Sequence, residues 1–213
     1  MGPDRPGNLL GVPVRFVIIG GGPAGNTAAT YAARLGAEVI VVEREIIGGA
    51  AHLLDCIPSK TMIATGGAMS ASHRMRGMGL EERDAEIDRQ ALVERIEGIK
   101  GRLQGSITNL LDSQGVRMIA GAARLNGPHE VIIESSTGTE TIHADAVLVG
   151  TGSRPRVPEW CQPDGDRILT TRDCYPPKVM PEHIAVIGSG VTGVEFAHMF
   201  SSLGCKVTLV VSR

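Results

Sequence analysis

The segments Gly20-Gly21-Gly22-Pro23-Ala24-Gly25 and Gly188-Ser189-Gly190-Val191-Thr192-Gly193 are two copies of one pattern, GxGxxG, set 168 residues apart. Each follows an apolar run, Phe16-Val17-Ile18-Ile19 or Ile184-Ala185-Val186-Ile187, and each opens a small-residue stretch of helical character. In a strand–turn–helix unit the first glycine permits the sharp turn and the second lets the backbone approach a pyrophosphate. The third lets the helix pack closely on the strand. The diphosphate then rests on the free N–H groups and positive end of the helix. Glycines also serve ordinary turns, so the context carries the signal. After the first copy the spacing predicts a helix over 23–35, ended by Gly36, and a strand Glu38-Val39-Ile40-Val41-Val42 closed by Glu43. That acid stands 23 residues after Gly20, where it can accept bonds from ribose hydroxyls. Two such crevices imply two dinucleotides, and hence electron transfer from one to the other.

Composition narrows the partners. The formal net charge of -2 argues against a nucleic-acid or anionic-membrane partner, and aromatics at 3% argue against a base-stacking platform. No apolar run reaches the length of a membrane span. Residues 1–13 lack the apolar core of a signal peptide and read as a flexible lead-in or an over-extended start. Cys56, Cys161, Cys174 and Cys205 have neither metal-ligand spacing nor a CxxC. They read as reduced thiols of a cytoplasmic protein.

Past the first unit, Ile57-Pro58-Ser59-Lys60 leads into a helix through about 74, with Pro58 tolerated near a helix start. A long helix over 88–112 carries an apolar stripe of Ile87, Ala91, Val93, Ile96, Ile99, Leu103, Ile107, Leu110 and Leu111, expected to face a core. Short strands follow at Val116–Ala120, Glu130–Ser135, Thr139–Ala144 and Ala146–Val149, separated by turns such as Asn126-Gly127-Pro128. The stretch 156–182 reads as a connector.

By these residues the chain resembles the pyridine nucleotide–disulfide oxidoreductases, over nearly all of its length from residue 14. The two fingerprints carry the resemblance, together with Gly48-Gly49 leading to Cys56-Ile57-Pro58-Ser59-Lys60, and Thr151-Gly152-Ser153-Arg154-Pro155. It implies an α/β fold: a Rossmann-like FAD-binding domain over 14–155 with a β-meander insert, then the start of a Rossmann-like NAD(P)-binding domain at 183–213. It assigns Gly20, Gly22, Pro23, Ala24, Gly25, Glu43, Gly49, Ala51, Ala123, Thr151 and Gly152 to the FAD side. Gly188, Ser189, Gly190, Thr192 and Gly193 fall on the NADPH or NADH side. Lys60 matches the family lysine beside the flavin, and Glu195 matches the glutamate that pairs with it. A lysine charge near the flavin favours electron density arriving there, and the paired acid offsets its burial.

One departure shifts the expectation. The family's redox motif has two cysteines, and this chain reads Gly48-Gly49-Ala50-Ala51-His52-Leu53-Leu54-Asp55-Cys56. Ala51 stands where the first cysteine belongs. A disulfide needs two sulfurs in bonding geometry, so the usual relay is not expected. The arrangement resembles the NAD(P)H-quinone reductases of the family, with Lys60, Glu195 and Cys56 as candidate catalytic groups. Cys56 itself reads first as a small buried hydrophobe, since a lone thiol cannot relay two electrons through a disulfide. A dihydrolipoamide dehydrogenase-like or transhydrogenase activity is the enzymatic alternative, and a nucleotide-binding module the non-enzymatic one. In the second unit the residue matching Glu43 is Val211, followed by Ser212-Arg213. With no acid to claim a ribose 2′-OH, and Ser212 and Arg213 suited to a 2′-phosphate, NADPH is expected to be accepted. The stop at Arg213 reads as the N-terminal portion of a longer homodimeric flavoprotein, with weak or no steady turnover from this portion alone.

Overall fold

The computed structural model describes residues 13–79 and 85–211. Most of the expected lead-in, and Ser212 and Arg213, lie outside them. The elements run β1 (Arg15–Ile19), α1 (Pro23–Arg34), β2 (Glu38–Glu43), α2 (Ile57–Arg74), α3 (Arg89–Ser113) and β3 (Arg117–Leu125). Next come β4 (Glu130–Ser135), β5 (Gly138–His143), β6 (Ala146–Val149), β7 (His183–Ile187), α4 (Val191–Ser202) and β8 (Lys206–Val210). The chain divides into two compact units. One runs through Leu54 and resumes over Lys100–Arg154; the other takes Asp55–Ile99 and the chain from Pro155 onward.

The first unit explains why β1 and β2 are continuously apolar. Val17, Ile19, Ile40 and Val42 pack on one face with Val131, Ile133, Ile142 and Ala144 of the later strands. Ile18, Val39 and Val41 pack on the other with Ala29 of α1 and Leu111 of α3. A parallel strand covered on both faces loses the usual polar alternation. Each such side chain contributes up to about 1.5–3 kcal/mol when buried. The sheet order is β5-β4-β3-β2-β1-β6. The pairs β3–β2, β2–β1 and β1–β6 are parallel, whereas β3–β4 and β4–β5 are antiparallel. This is a Rossmann-like α/β sheet carrying a β-meander. Strand β3 belongs to both parts: 117–120 pair with β2 and 121–125 with β4. The sequence pattern ended this strand at Ala120. It continues because Gly121 lets β4 approach, where a Cβ would stand 2.6 Å from the Glu134 carbonyl oxygen.

In the second unit Phe196, Met199 and Phe200 share one face of α4 and pack with Met62 of α2 and Leu92 and Ile96 of α3. Helices α2 and α4 meet at Gly66, where a Cβ would lie 2.8 Å from Ser202 Cβ. The strands β7 and β8 pair in parallel beside α4. The helix phase expected for α3 is corrected at two points. Leu92 is buried and Ala91 exposed, and Leu110 is 45% exposed beside a buried Leu111. Leu92 and Ile96 serve one core and Ile107 and Leu111 the other, so a single straight stripe does not describe the helix. Among the described residues no helix is long and apolar enough to cross a membrane.

Candidate functional site

The chain must reverse between Ile19 and Pro23. Gly20 does so at φ +114°, a region L side chains rarely adopt. Its N–H donates to Val42 O at 2.8 Å, tying the turn to β2. Side chains are excluded all around it. A Cβ on Gly20 would strike the Gly150 carbonyl, one on Gly25 the Gly20 carbonyl oxygen, and one on Gly49 the Gly22 Cα. Gly22 caps α1 with no side-chain hydrogen bond, Pro23 and Ala24 follow in the first turn, and that turn holds no acid. No acid within the helix itself opposes its positive end, which suits an anion.

The acid at the end of β2 is engaged by the backbone. Glu43 Oε2 accepts from Gly21 N–H at 2.7 Å and Oε1 from Glu45 N–H at 2.7 Å. Each oxygen retains a second lone pair for a ribose hydroxyl. Sequence reading missed Asn26, whose Nδ2 donates to Gly21 O at 2.9 Å. Its Oδ1 is buried without a partner among the described residues. Thr151 and Gly152 follow β6 and are exposed. Nearby, the Arg154 guanidinium pairs with the Glu45 carboxylate. Ala123 lies within β3 opposite Ile133, packed against the meander core. Glycines packed too closely for side chains and a helix start with no acid in its first turn fit a dinucleotide diphosphate, and the orphaned Asn26 acceptor fits a donor such as a ligand hydroxyl.

The second fingerprint repeats this geometry in the other unit. Gly188 adopts φ +109° and donates to Val210 O at 2.9 Å. A Cβ on Gly193 would strike the Gly188 carbonyl oxygen, as one on Gly25 strikes that of Gly20. Ser189, Gly190 and Thr192 are exposed around the turn. The position of Glu43 is taken by Val211, which is exposed.

The altered motif is helical. A π-helical stretch, Ala51–Cys56, runs directly into α2. Leu53 N–H donates to Gly49 O at 3.0 Å. Leu53 is fully buried, so the wide turn anchors itself there while Ala51, His52 and Cys56 are exposed. The reading of Cys56 as a buried hydrophobe is thereby corrected. All four cysteines are free thiols. Cys174 lies in the core, where burial, aided by the Asp173 charge, pushes its pKa up to about 12.

Lys60, on the first turn of α2, reaches Glu195 on α4: Nζ and Oε1 are 2.7 Å apart. The bond from Lys60 holds the Glu195 carboxyl below its ordinary value, with the Ser59 hydroxyl adding to it against partial burial. Beside Cys56, Asp55 Oδ1 lies 3.5 Å from Arg172 Nε. The Tyr175 phenol is pushed upward by burial, then by the charges of Asp55 and Glu195.

Fold and site together define a class of α/β proteins with two glycine turns of one design after a strand and before a helix, the second unit bearing a lysine–glutamate pair. Residues 14–213 match the pyridine nucleotide-disulphide oxidoreductases, and the chain belongs to that family. Members of the family use FAD and NAD(P)H. The chain is 41% identical over 211 residues to an NAD(P)H dehydrogenase (quinone) of Mycobacterium tuberculosis, covering 93% of this chain and 43% of the relative. It is 30% identical over 198 residues to dihydrolipoyl dehydrogenase 2, chloroplastic, of Arabidopsis thaliana, covering 92% and 34%. The crystal structure of LpdA from M. tuberculosis superposes with a TM-score of 0.85 at 38% identity, over 94% of this chain and 45% of that one. The HOCl-induced flavoprotein disulfide reductase RclA of Escherichia coli gives a TM-score of 0.75 at 26% identity, over 92% and 41%. The chain spans less than half the length of the curated relatives it matches.

Proposed function

We propose that this chain supplies the nucleotide-binding part of an oxidoreductase that takes hydride from NAD(P)H and delivers electrons to a quinone-like acceptor without a dithiol relay. The observation that carries it is Ala51 at the place of the first redox cysteine, with Cys56 left as a free, exposed thiol. The similarity to a relative named as a quinone dehydrogenase supports the acceptor class. FAD, when bound, supplies the hydride-accepting and electron-releasing chemistry.

The chain's own residues bind and orient. Residues 14–155 form the FAD-binding segment, with Gly20, Gly22, Pro23, Ala24, Gly25 and Gly49 around the diphosphate and Glu43 toward the ribose. Thr151 and Gly152 complete that side, and 156–182 connect it to the NAD(P)-binding segment from 183. There Gly188, Ser189, Gly190, Thr192 and Gly193 receive the second diphosphate. Val211 offers no carboxylate to repel a 2′-phosphate, so NADPH is accepted. Lys60 presents a positive charge held in place by Glu195, and that charge stabilises negative charge arriving beside it.

The test loads the chain with FAD, bleaches it with NADPH under anaerobic conditions and then offers menadione or lipoamide. Menadione is expected to restore the oxidised spectrum, and lipoamide to leave it bleached. Reoxidation by lipoamide overturns the proposal.

A further inference from the structure

Gly21 is held from both sides. Its N–H donates to Glu43 Oε2 at 2.7 Å, and its carbonyl accepts from Gly48 N–H at 2.8 Å and from Asn26 Nδ2 at 2.9 Å. The carbonyl of Gly21 and the N–H of Gly22 belong to one planar trans peptide and point in opposite directions. Fixing the first aims the second. Pro23 has no N–H, so Gly22 supplies the first donor of the turn, and among the described residues that donor has no partner. The carboxamide orientation follows from chemistry: Oδ1 against Gly21 O would oppose two acceptors. Oδ1 instead lies buried and unpaired, where a ligand hydroxyl or a water would satisfy it.

We propose that Asn26 is a positioning residue of the first crevice. By drawing the Gly21 carbonyl away, it keeps the Gly22 N–H turned toward a dinucleotide diphosphate and sets how firmly that nucleotide is retained. This rests on the reading that the first crevice takes FAD. The second turn provides an internal comparison. There Val194 stands in place of Asn26 and Val211 in place of Glu43. The two polar side chains that hold the first turn thus have valines in their places in the second. A clamped turn suits a resident nucleotide, because its donors are aimed before binding and cost no ordering. A turn without those two side chains suits a nucleotide that leaves after each turnover.

Asn26→Val copies the second turn, and Asn26→Asp keeps the shape while replacing the donor with an acceptor. Quenching of flavin fluorescence measures the affinity and release rate of FAD for the chain and both variants. Circular dichroism of the flavin-free proteins confirms that each variant is folded. Affinity is expected to fall about five- to tenfold in both variants, mostly through faster release. In the unsubstituted chain, 15N-labelled Gly22 is expected to show an amide shift and slowed exchange on FAD addition, which tests the same donor without any substitution. Unchanged FAD affinity in folded variants, or an unmoved Gly22 amide while FAD binds, overturns the inference alone. Failure of the unsubstituted chain to bind FAD overturns the reading of the crevice and this inference with it.

Discussion

Gly25→Ala is expected to abolish FAD binding and to destabilise the chain by about 2–3 kcal/mol. The added methyl would overlap the Gly20 carbonyl oxygen and stand 3.1 Å from Ile18 Cγ2. Neither neighbour can yield cheaply. Moving Gly20 breaks its bond to Val42 O, and Ile18 is fully buried in the sheet core. The helix must therefore lift from β1, which carries the diphosphate-facing N–H groups away from the turn. Gly101→Ala is the control: it lies in α3, where a Cβ meets nothing within 4 Å. It is expected to stabilise the chain by about 0.5–1 kcal/mol. Gly193→Ala makes the equivalent clash in the second turn. It should leave FAD uptake intact and remove bleaching by NADPH. Thermal midpoints and the flavin-to-protein ratio read all three, and anaerobic addition of NADPH reads the bleaching. A wild-type flavin ratio in Gly25→Ala would remove the diphosphate from this turn.

Lys60→Met is expected to slow flavin reduction by NADPH at least about tenfold, while changing stability by less than about 1 kcal/mol. The two effects separate because the Lys60 side chain is 61% exposed, so its pair with Glu195 is screened by solvent. The positive charge still acts wherever solvent is excluded by a bound cofactor. Stopped-flow absorbance supplies the rate and urea titration the stability. A loss of stability with an unchanged rate would make the lysine merely structural. The acid partner adds a pH signature. Its carboxyl is held below the ordinary value of 4.5 by the bond from Lys60, so it binds fewer protons folded than unfolded in that range. Its stabilising contribution is present above pH 4.5 and is lost as pH falls below it. Glu195→Gln should flatten that part of the acid melting profile, and an unchanged profile would contradict the assignment.

The parts visible in the sequence were those that depend on local pattern. Continuous apolar runs mark β1 and β2, small-residue stretches after glycines mark α1 and α4, and a short run between turns marks β4 at Glu130–Ser135. What escaped depends on chain segments meeting at a distance. Asn26 reads as an ordinary helix residue until Gly48 and Glu43 are seen to converge on Gly21. The extension of β3 past Ala120 needs β4 beside Gly121. The π-helical turn at 51–56 is fixed by the burial of Leu53, which local sequence pattern does not reveal. Two different cores contact α3, so its apolar phase cannot be taken from one stripe. Lys60 and Glu195 were matched through the family motif rather than by any spacing within the chain. Their 2.7 Å approach depends on the packing of α2 on α4.

On the function proposed, electrons pass from flavin to acceptor with no second redox couple in the chain. An anaerobic reductive titration of the FAD-loaded chain counts the electrons directly. Uptake of two electrons per flavin, with no thiolate-to-flavin charge-transfer band, is the expected result, because Ala51 leaves Cys56 without a disulfide partner. Uptake of four electrons per flavin, with such a band appearing at the half-way point, would contradict it.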